Sequence, residues 1–272
     1  MLNEKIFDAG GINLNYVETG DPGADPIVLL HGLSGRWQGW SQEIGLLSHR
    51  WHVFAFDARG HGRSDNVPDA HYGVDLQTID AARFIEGMVG GPTAVVGHSM
   101  GALTSIGLAG TRPDLIQAAV LEDPPAYIAS SLEETDFYPR FVAARDRMRT
   151  GISFEELVGE LSTADPAASA SAVRATAASH MAMDPEAWTT FIDNVGLERF
   201  DMDATLSAIE CPVLLLQADP EIGAALLEDD EKRIQGLVSD CTHVRFAGVG
   251  HSVHRDDPIN FRRVLFDFLD TI

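Results

Sequence analysis

Short apolar segments alternate with helix-like segments along most of this chain, and the alternation limits the folds that it can adopt. After a predicted hairpin over Lys5–Glu18, the predicted strands are Ile27–Leu30, His52–Phe56, Thr93–Val96, Ala118–Leu121, Val213–Leu216 and Val244–Phe246. The main predicted helices are Gln77–Met88, Met100–Ala109 and Pro258–Leu269. Buried parallel strands are continuous apolar runs because helices cover both faces of their sheet. The pattern therefore predicts an α/β fold with a mostly parallel sheet.

The segment from Pro125 to Ala208 departs from this alternation, since it contains no convincing buried strand. Its apolar residues recur instead at helical spacing. They are Phe137, Phe141, Ala144 and Met148, and later Trp188, Phe191, Ile192 and Val195. We therefore expect residues 125–208 to form a helical cap. The core domain would then consist of residues 1–124 and 209–272.

The charge balance excludes several classes of partner. The 272 residues include 41 acidic side chains against 19 lysines and arginines, which gives a formal charge of −22. Such a surface repels phosphate backbones and anionic lipids, so we expect neither nucleic acid nor a membrane as partner. The first residues lack the apolar core of a secretory signal, and a cytoplasmic location is expected. Cys211 and Cys241 are expected to be reduced structural thiols, while monomer and homodimer both stay open.

One five-residue motif, Gly97-His98-Ser99-Met100-Gly101, lies where a predicted strand passes into a predicted helix. A serine on such a sharp turn has strained backbone angles and an exposed hydroxyl, and small flanking residues let the strand and helix approach each other. The helix N-terminus also directs amide hydrogens toward developing negative charge. We therefore predict Ser99 to be a catalytic nucleophile rather than part of a structural turn.

A serine nucleophile needs a base, and histidine titrates near neutral pH. Among the ten histidines, His251 is the candidate because it follows the glycine-rich loop 248–250 between the last predicted strand and the last predicted helix. It also follows the serine in the chain order that one class of Ser–acid–His hydrolases shows. His254 is the competing base, and His98 is expected to pack within the turn.

Four motifs together resemble the α/β-hydrolase superfamily: His31-Gly32, the stretch Asp57–Ser64, the serine turn and Gly248–His251. The resemblance covers nearly the whole chain, and the spacing of the four motifs is more specific than any one of them. It implies an α/β-hydrolase fold, with an eight-stranded, mostly parallel sheet, helices on both faces and a helical cap after the sixth strand. It also implies that neither a cofactor nor a metal is needed.

The resemblance leaves open which carboxylate partners the histidine. Most members of the superfamily place this acid after the seventh strand, usually soon after a glycine, but Ala218 stands in place of that glycine here. The stretch Leu121–Pro125 instead resembles the zearalenone hydrolases, a subgroup with the acid after the sixth strand. The candidates in order are Glu122, then Asp219, Glu221 and Asp123. Asp123 comes last because an aspartate before a proline commonly stabilises a turn.

The resemblance assigns an oxyanion hole to the backbone amides of Leu33 and Met100, each worth about 3 kcal/mol to an acyl-transfer transition state. Gly32 would let the backbone approach the substrate. The side chains expected to line an apolar pocket are Trp188 and Met183, together with Trp37, Trp40, Phe137, Tyr138 and Met181. No basic cluster stands out in the sequence, so a small uncharged or apolar substrate is expected.

These expectations combine into hydrolysis of a carboxylic ester or lactone through an acyl-serine intermediate, with a Ser–His–acid triad. Haloalkane- and epoxide-cleaving relatives of this fold use aspartate as nucleophile, so Ser99 disfavours them. Carbon–carbon bond hydrolysis of a ring-cleavage product and cofactor-free perhydrolysis stay as alternatives, because they use the same residues. A non-catalytic small-molecule receptor is the alternative from another class.

Overall fold

Eight strands form one sheet in the computed structural model, which describes residues 2–128, 132–193, 195–197 and 200–272. The strands are β1 (Lys5–Asp8), β2 (Asn13–Thr19), β3 (Pro26–Leu30), β4 (His52–Phe56), β5 (Thr93–His98), β6 (Ile116–Glu122), β7 (Val213–Gln217) and β8 (Cys241–Arg245). Their order across the sheet is β1-β2-β4-β3-β5-β6-β7-β8. The strands from β3 onward pair in parallel, whereas β2 pairs antiparallel with β1 and β4. The expected eight-stranded, mostly parallel sheet is confirmed.

Helices connect the strands and cover the sheet. They are α1 (Ser41–Leu47), α2 (Val74–Phe84), α3 (Met100–Thr111), α4 (Phe137–Arg149), α5 (Phe154–Ala164), α6 (Ala170–Met181), α7 (Glu186–Ile192), α8 (Met202–Ser207), α9 (Glu228–Leu237), α10 (Val253–Asp256) and α11 (Pro258–Leu269). Among the described residues, no helix combines the length and the apolar character that a membrane span requires.

Two apolar cores lie on opposite faces of the sheet, because alternate side chains of a strand point to opposite sides. On one face, Leu30 and Val95 pack in a cluster with side chains of α2, α3, α8 and α9. On the other face, Leu29 and Val96 pack with side chains of α1 and α11. Burial on both faces explains why the central strands are uninterrupted apolar runs in the sequence.

The two edges of the sheet differ in how well the local sequence predicts their strands. The predicted N-terminal hairpin turns at Gly10 and Gly11, whose φ angles of +81° and +103° favour glycine. At the opposite edge, β8 begins at Cys241 rather than at the predicted Val244. Its side chains are exposed or half-buried, so polar residues are tolerated and only the end of the strand is apolar enough to be predicted.

The helical insertion predicted between the sixth and seventh strands is present as α4 to α7. Trp188 of α7 and Tyr72 from the loop before α2 belong to one apolar cluster, which joins the insertion to the core. The Tyr72 hydroxyl donates to Asp184 Oδ2 at 2.6 Å across the same junction. Met202 and Leu206 of α8 instead belong to the apolar cluster on the α3 side of the sheet. The domain boundaries 125 and 208 stay a prediction.

Candidate active site

Ser99 lies on a sharp turn between the end of β5 and the start of α3, with φ +52° and ψ −115°. A non-glycine residue keeps such strained angles only where its surroundings impose them. Here the glycines on either side allow the close approach, since a Cβ on Gly97 would clash with Gly101 O and one on Gly101 with Leu30 O. The Ser99 amide donates to Glu122 O of the neighbouring strand at 2.9 Å. The structure therefore contains the strand-to-helix turn that the motif predicts.

Asp123 is the carboxylate beside His251. The Nδ1–H of His251 donates to Asp123 Oδ2 at 2.6 Å, and the aspartate is completely buried. The carboxylate also accepts from the amide of Ala225 at 2.7 Å and from those of Ala218 and Leu226 at 3.2 and 3.3 Å. These donors hold the carboxylate in place, so it fixes the orientation of the imidazole. The other ring nitrogen, Nε2, is then the one available to a substrate or a serine.

The prediction that Glu122 partners His251 is wrong in this geometry. Both Glu122 oxygens lie 2.9 Å from Nδ1 of His254, and the His254 amide donates to the same carboxylate at 2.9 Å. Glu122 is the last residue of β6, and Asp123 follows it with a left-handed backbone, at φ +44°. This conformation is unusual for a non-glycine residue, and the two neighbouring carboxylates contact different rings, Glu122 that of His254 and Asp123 that of His251. The rule that Asp before Pro stabilises a turn ranked Asp123 last and did not anticipate that its carboxylate reaches the His251 ring.

Asp219, the alternative acid, does not reach His251 either. Its carboxylate accepts from the amides of Gly248 at 2.7 Å and Glu221 at 3.1 Å, and these bonds lower the pKa of Asp219 below its usual value. The Glu221 side chain, the third candidate, is exposed. Asp219 thus shapes the loop that precedes His251 instead of contacting its ring.

Three histidine rings pack together behind the Ser99 turn. The His98 ring lies 4.8 Å from the His251 ring and 5.1 Å from the His254 ring, measured between centroids. Burial lowers the pKa of His98 well below its ordinary value, so its ring is neutral, and its Nε2–H donates to His251 O at 3.1 Å. His254 stacks on Trp40 at 4.3 Å. His98 packs within the turn as expected, and it also holds the backbone of the His251 loop.

The loop 31–33 lies directly against the Ser99 turn. A Cβ on Gly32 would lie 2.7 Å from His98 Nδ1 and 3.2 Å from Ser99 Cβ, so only glycine fits without a shift. His31 anchors the loop: its Nε2 accepts from Ala58 N at 3.0 Å and its Nδ1–H donates to Gly32 O at 2.8 Å. Burial lowers the pKa of His31 to about 4, which keeps the neutral tautomer that both bonds need.

A cavity of about 260 Å³ opens at the Ser99 turn. Ser99, His251 and both residues of the expected oxyanion hole, Leu33 and Met100, line it. Its apolar walls come from the α3 region and from the cap, and consist of Leu103, Ile128, Leu132, Phe137, Phe141, Phe191 and Leu197. Ser99 and His251 share the cavity without a direct hydrogen bond in the described residues. Catalytic hydrogen bonds are often long before substrate binds and tighten in the complex.

The prediction that Trp188 and Met183 line the pocket is wrong. Both are buried in the cluster that joins the cap to the core, and only 1% of the Trp188 surface is exposed. Helical periodicity identified the apolar face of α7 but not which part of it faces the cavity. Phe191, three residues further, lines the cavity instead. Gly32 lies at an adjoining depression rather than in this cavity.

Sequence reasoning missed the two charged residues that line the cavity, Arg140 of α4 and Arg255 of α10. They are far apart in the sequence, so no basic cluster is visible there. Only the fold brings both to one cavity. The spacing of Arg140 from Phe137, one helical turn, is the single local signal that could have suggested it.

Comparisons with known proteins agree with this architecture. The model of the "Alpha/beta hydrolase family" matches residues 27–264. The chain is 26% identical over 262 residues to the N-formylmaleamate deformylase of Pseudomonas putida, covering 96% of this chain and 94% of that protein. A crystal structure of an E-2-(acetamidomethylene)succinate hydrolase matches with a TM-score of 0.79 and 24% identity, over 99% of this chain and all of that one. The enol-lactonase of Burkholderia xenovorans matches with a TM-score of 0.76 and 20% identity, over 98% and 100% of the two chains. The predicted fold class is thereby confirmed.

Proposed function

Because the chain belongs to the alpha/beta hydrolase family, we propose that it is a serine hydrolase that cleaves a small carboxylic ester or lactone. The proposal depends above all on one observation. A histidine whose Nδ1 is fixed by a buried carboxylate, at 2.6 Å, lines the same cavity as a serine on a strained strand-to-helix turn. This pairing of residues matches the needs of nucleophilic acyl transfer.

The reaction begins with proton transfer from the Ser99 hydroxyl to Nε2 of His251, as Ser99 Oγ bonds to the carbonyl carbon of the substrate. The carbonyl π bond becomes an oxyanion, which the amides of Leu33 and Met100 stabilise. Met100 is the first residue of α3, so its N–H has no partner within the helix. Collapse of this intermediate breaks the bond to the alcohol, which takes the proton from His251 Nε2.

Water completes the cycle by the same steps in reverse order. His251 takes a proton from water as its oxygen attacks the acyl-enzyme, and then returns a proton to Ser99 Oγ as the carboxylic acid leaves. Asp123 stabilises the imidazolium in both halves of the cycle, because its carboxylate accepts the Nδ1–H throughout. Asp123 therefore replaces Glu122 in our proposed triad.

The names of the relatives support an acyl substrate, although they differ in detail. The enol-lactonase supports a lactone, and the deformylase supports an N-formyl compound as a second candidate class. A partial match, 32% identical over 122 residues, is to a 2-hydroxy-6-oxo-6-(2'-aminophenyl)hexa-2,4-dienoic acid hydrolase from Metapseudomonas resinovorans. It keeps ring-cleavage products among the substrates to be tested.

The test combines active-site labelling with turnover. The wild type should react with a fluorophosphonate probe and hydrolyse 4-nitrophenyl esters, and Ser99→Ala should abolish both. Ser252→Ala is the matched control, because Ser252 lines the same cavity and should keep the label. Lactones, N-formyl compounds, ring-cleavage products, and peroxide with a short carboxylic acid complete the panel. A wild type that neither takes the label nor turns over any substrate would refute the proposal and favour a receptor.

A further inference from the structure

Two cationic side chains border the cavity without an anionic partner. Arg140 comes from the cap and Arg255 from α10, close to His251. Among the described residues, neither guanidinium has a carboxylate within 4 Å. Arg255 donates to the neutral Ser252 Oγ at 3.2 Å, and the charge of the adjacent Asp256 acts on it without an ion pair within 4 Å. Each guanidinium therefore has N–H donors free for a ligand.

The absence of an ion pair sets Arg140 and Arg255 apart from most other arginines in the described part of the chain. Most described arginines elsewhere form ion pairs, as Arg59 does with Asp80 and Arg149 with Glu186. Carboxylates are abundant, since the formal charge of the chain is −22. Arg140 and Arg255 are exposed, and Arg36 and Arg83 likewise have no carboxylate within 4 Å in the described part of the chain. What distinguishes Arg140 and Arg255 from the other two is that both border the cavity that contains Ser99 and His251.

The two arginines flank the cavity from opposite parts of the fold. Arg140 lies one helical turn after Phe137 and directly before Phe141 on α4, and all three residues border the cavity. Arg255 follows the His251 loop and lies on the core side. Arg140 also borders a neighbouring depression with four acidic residues, and none of their carboxylates lies within 4 Å of its guanidinium; they are Glu134, Asp136, Glu221 and Asp230. A bound molecule would thus meet one cation from the cap and one from the core.

We propose that the substrate carries a carboxylate in addition to the acyl group that Ser99 attacks, and that Arg140 and Arg255 recognise this carboxylate. The inference rests on the proposed serine hydrolase function and names its substrate class. Guanidinium groups match carboxylates through parallel N–H···O bonds, which gives both affinity and orientation. The apolar walls of the 260 Å³ cavity fit the carbon skeleton between the two ends of such a molecule. The sequence-based expectation of an uncharged substrate is therefore revised.

The experiment compares esters that differ only in a terminal carboxylate. Mono-4-nitrophenyl adipate and 4-nitrophenyl hexanoate have acyl chains of equal length, and 4-acetoxybenzoate and phenyl acetate place the difference on the leaving group. We expect the wild type to prefer the charged member of at least one pair in kcat/KM. Arg140→Gln and Arg255→Gln should each lower that kcat/KM by about tenfold, mainly through KM, and change the neutral ester by less than about threefold.

Arg36→Gln is the matched control. Arg36 has no carboxylate within 4 Å in the described residues either; it borders the adjoining depression, as Arg255 also does, but not the cavity. It should leave the preference unchanged, and neutral-ester turnover reports folding in every variant. Equal rates within both pairs, or a preference that survives in the Arg140→Gln, Arg255→Gln double variant, would overturn the inference and leave the hydrolase function intact. Absence of labelling and of all turnover would instead refute the function itself.

Discussion

Replacement of the two adjacent acidic residues after β6 separates a catalytic carboxylate from a structural one. Asp123→Asn keeps the size of the side chain but removes the negative charge 2.6 Å from His251 Nδ1. Glu122→Gln makes the same chemical change one residue earlier, where the partner is His254. The pair is closely matched, because both carboxylates are completely buried and each binds one histidine.

The expected loss in Asp123→Asn is about 10⁴-fold in kcat, which is about 5.5 kcal/mol of transition-state stabilisation. The asparagine can present its amide NH₂ to Nδ1, which favours the tautomer with hydrogen on Nε2, and that tautomer cannot accept the serine proton. Glu122→Gln removes a charge-assisted bond from a residue outside the cavity, so we expect a loss of about 1.5–3 kcal/mol in the free energy of unfolding. Its kcat should fall by no more than about tenfold.

Turnover of a 4-nitrophenyl ester and urea denaturation give the two readouts. Asp219→Asn is the second control, since its carboxylate binds the Gly248 amide and not the His251 ring, and its kcat should fall by less than about tenfold. The assignment would be refuted if folded Glu122→Gln enzyme had a kcat several thousand times below that of the wild type while Asp123→Asn stayed active. Equal, small losses in both variants would refute it too.

Three further perturbations test the fold around the site. Gly101→Ala should destabilise the protein by several kcal/mol or prevent its folding, because the new Cβ would clash with Leu30 O; an unchanged melting temperature would contradict this contact. Burial depresses the pKa of His31 from 6.5 to about 4. As the pH falls, His31 is therefore protonated in the unfolded chain before it is protonated in the folded protein. The free energy of unfolding should therefore be constant above pH 6.5 and fall by about 3 kcal/mol toward pH 4 from this group, and a urea midpoint that does not fall over this range would contradict it. Tyr72→Phe removes the hydrogen bond to Asp184 and should cost about 1 kcal/mol, measured by urea denaturation with Tyr138→Phe as control.

The parts of the site that depend on local sequence were predictable. The turn at Ser99 needs glycines at fixed positions between a strand and a helix, and the His251 loop needs flexible residues after the last strand. Each requirement is met within a few consecutive residues. The structure accordingly places both side chains at the same cavity, as the motifs predict.

The remaining parts depend on direction and on distant contacts. The choice between Glu122 and Asp123 depends on where β6 ends and on the left-handed backbone of Asp123, at φ +44°, and neither is marked in the sequence. The burial of Trp188 depends on how α7 rotates against the core, which periodicity does not specify. Arg140 and Arg255 meet one cavity only because the cap folds back over the core. Patterns within short windows contain none of this information.

The end of β6 has a consequence for how the loop after β8 can change in length. The adjacent carboxylates of Glu122 and Asp123 bind the rings of His254 and His251, so a one-residue step at the end of β6 is matched to a three-residue step in the loop. One inserted or deleted residue between His251 and His254 would break one of the two carboxylate–histidine hydrogen bonds. We therefore expect changes in loop length to be tolerated only outside the stretch 251–254, whose number of residues stays fixed.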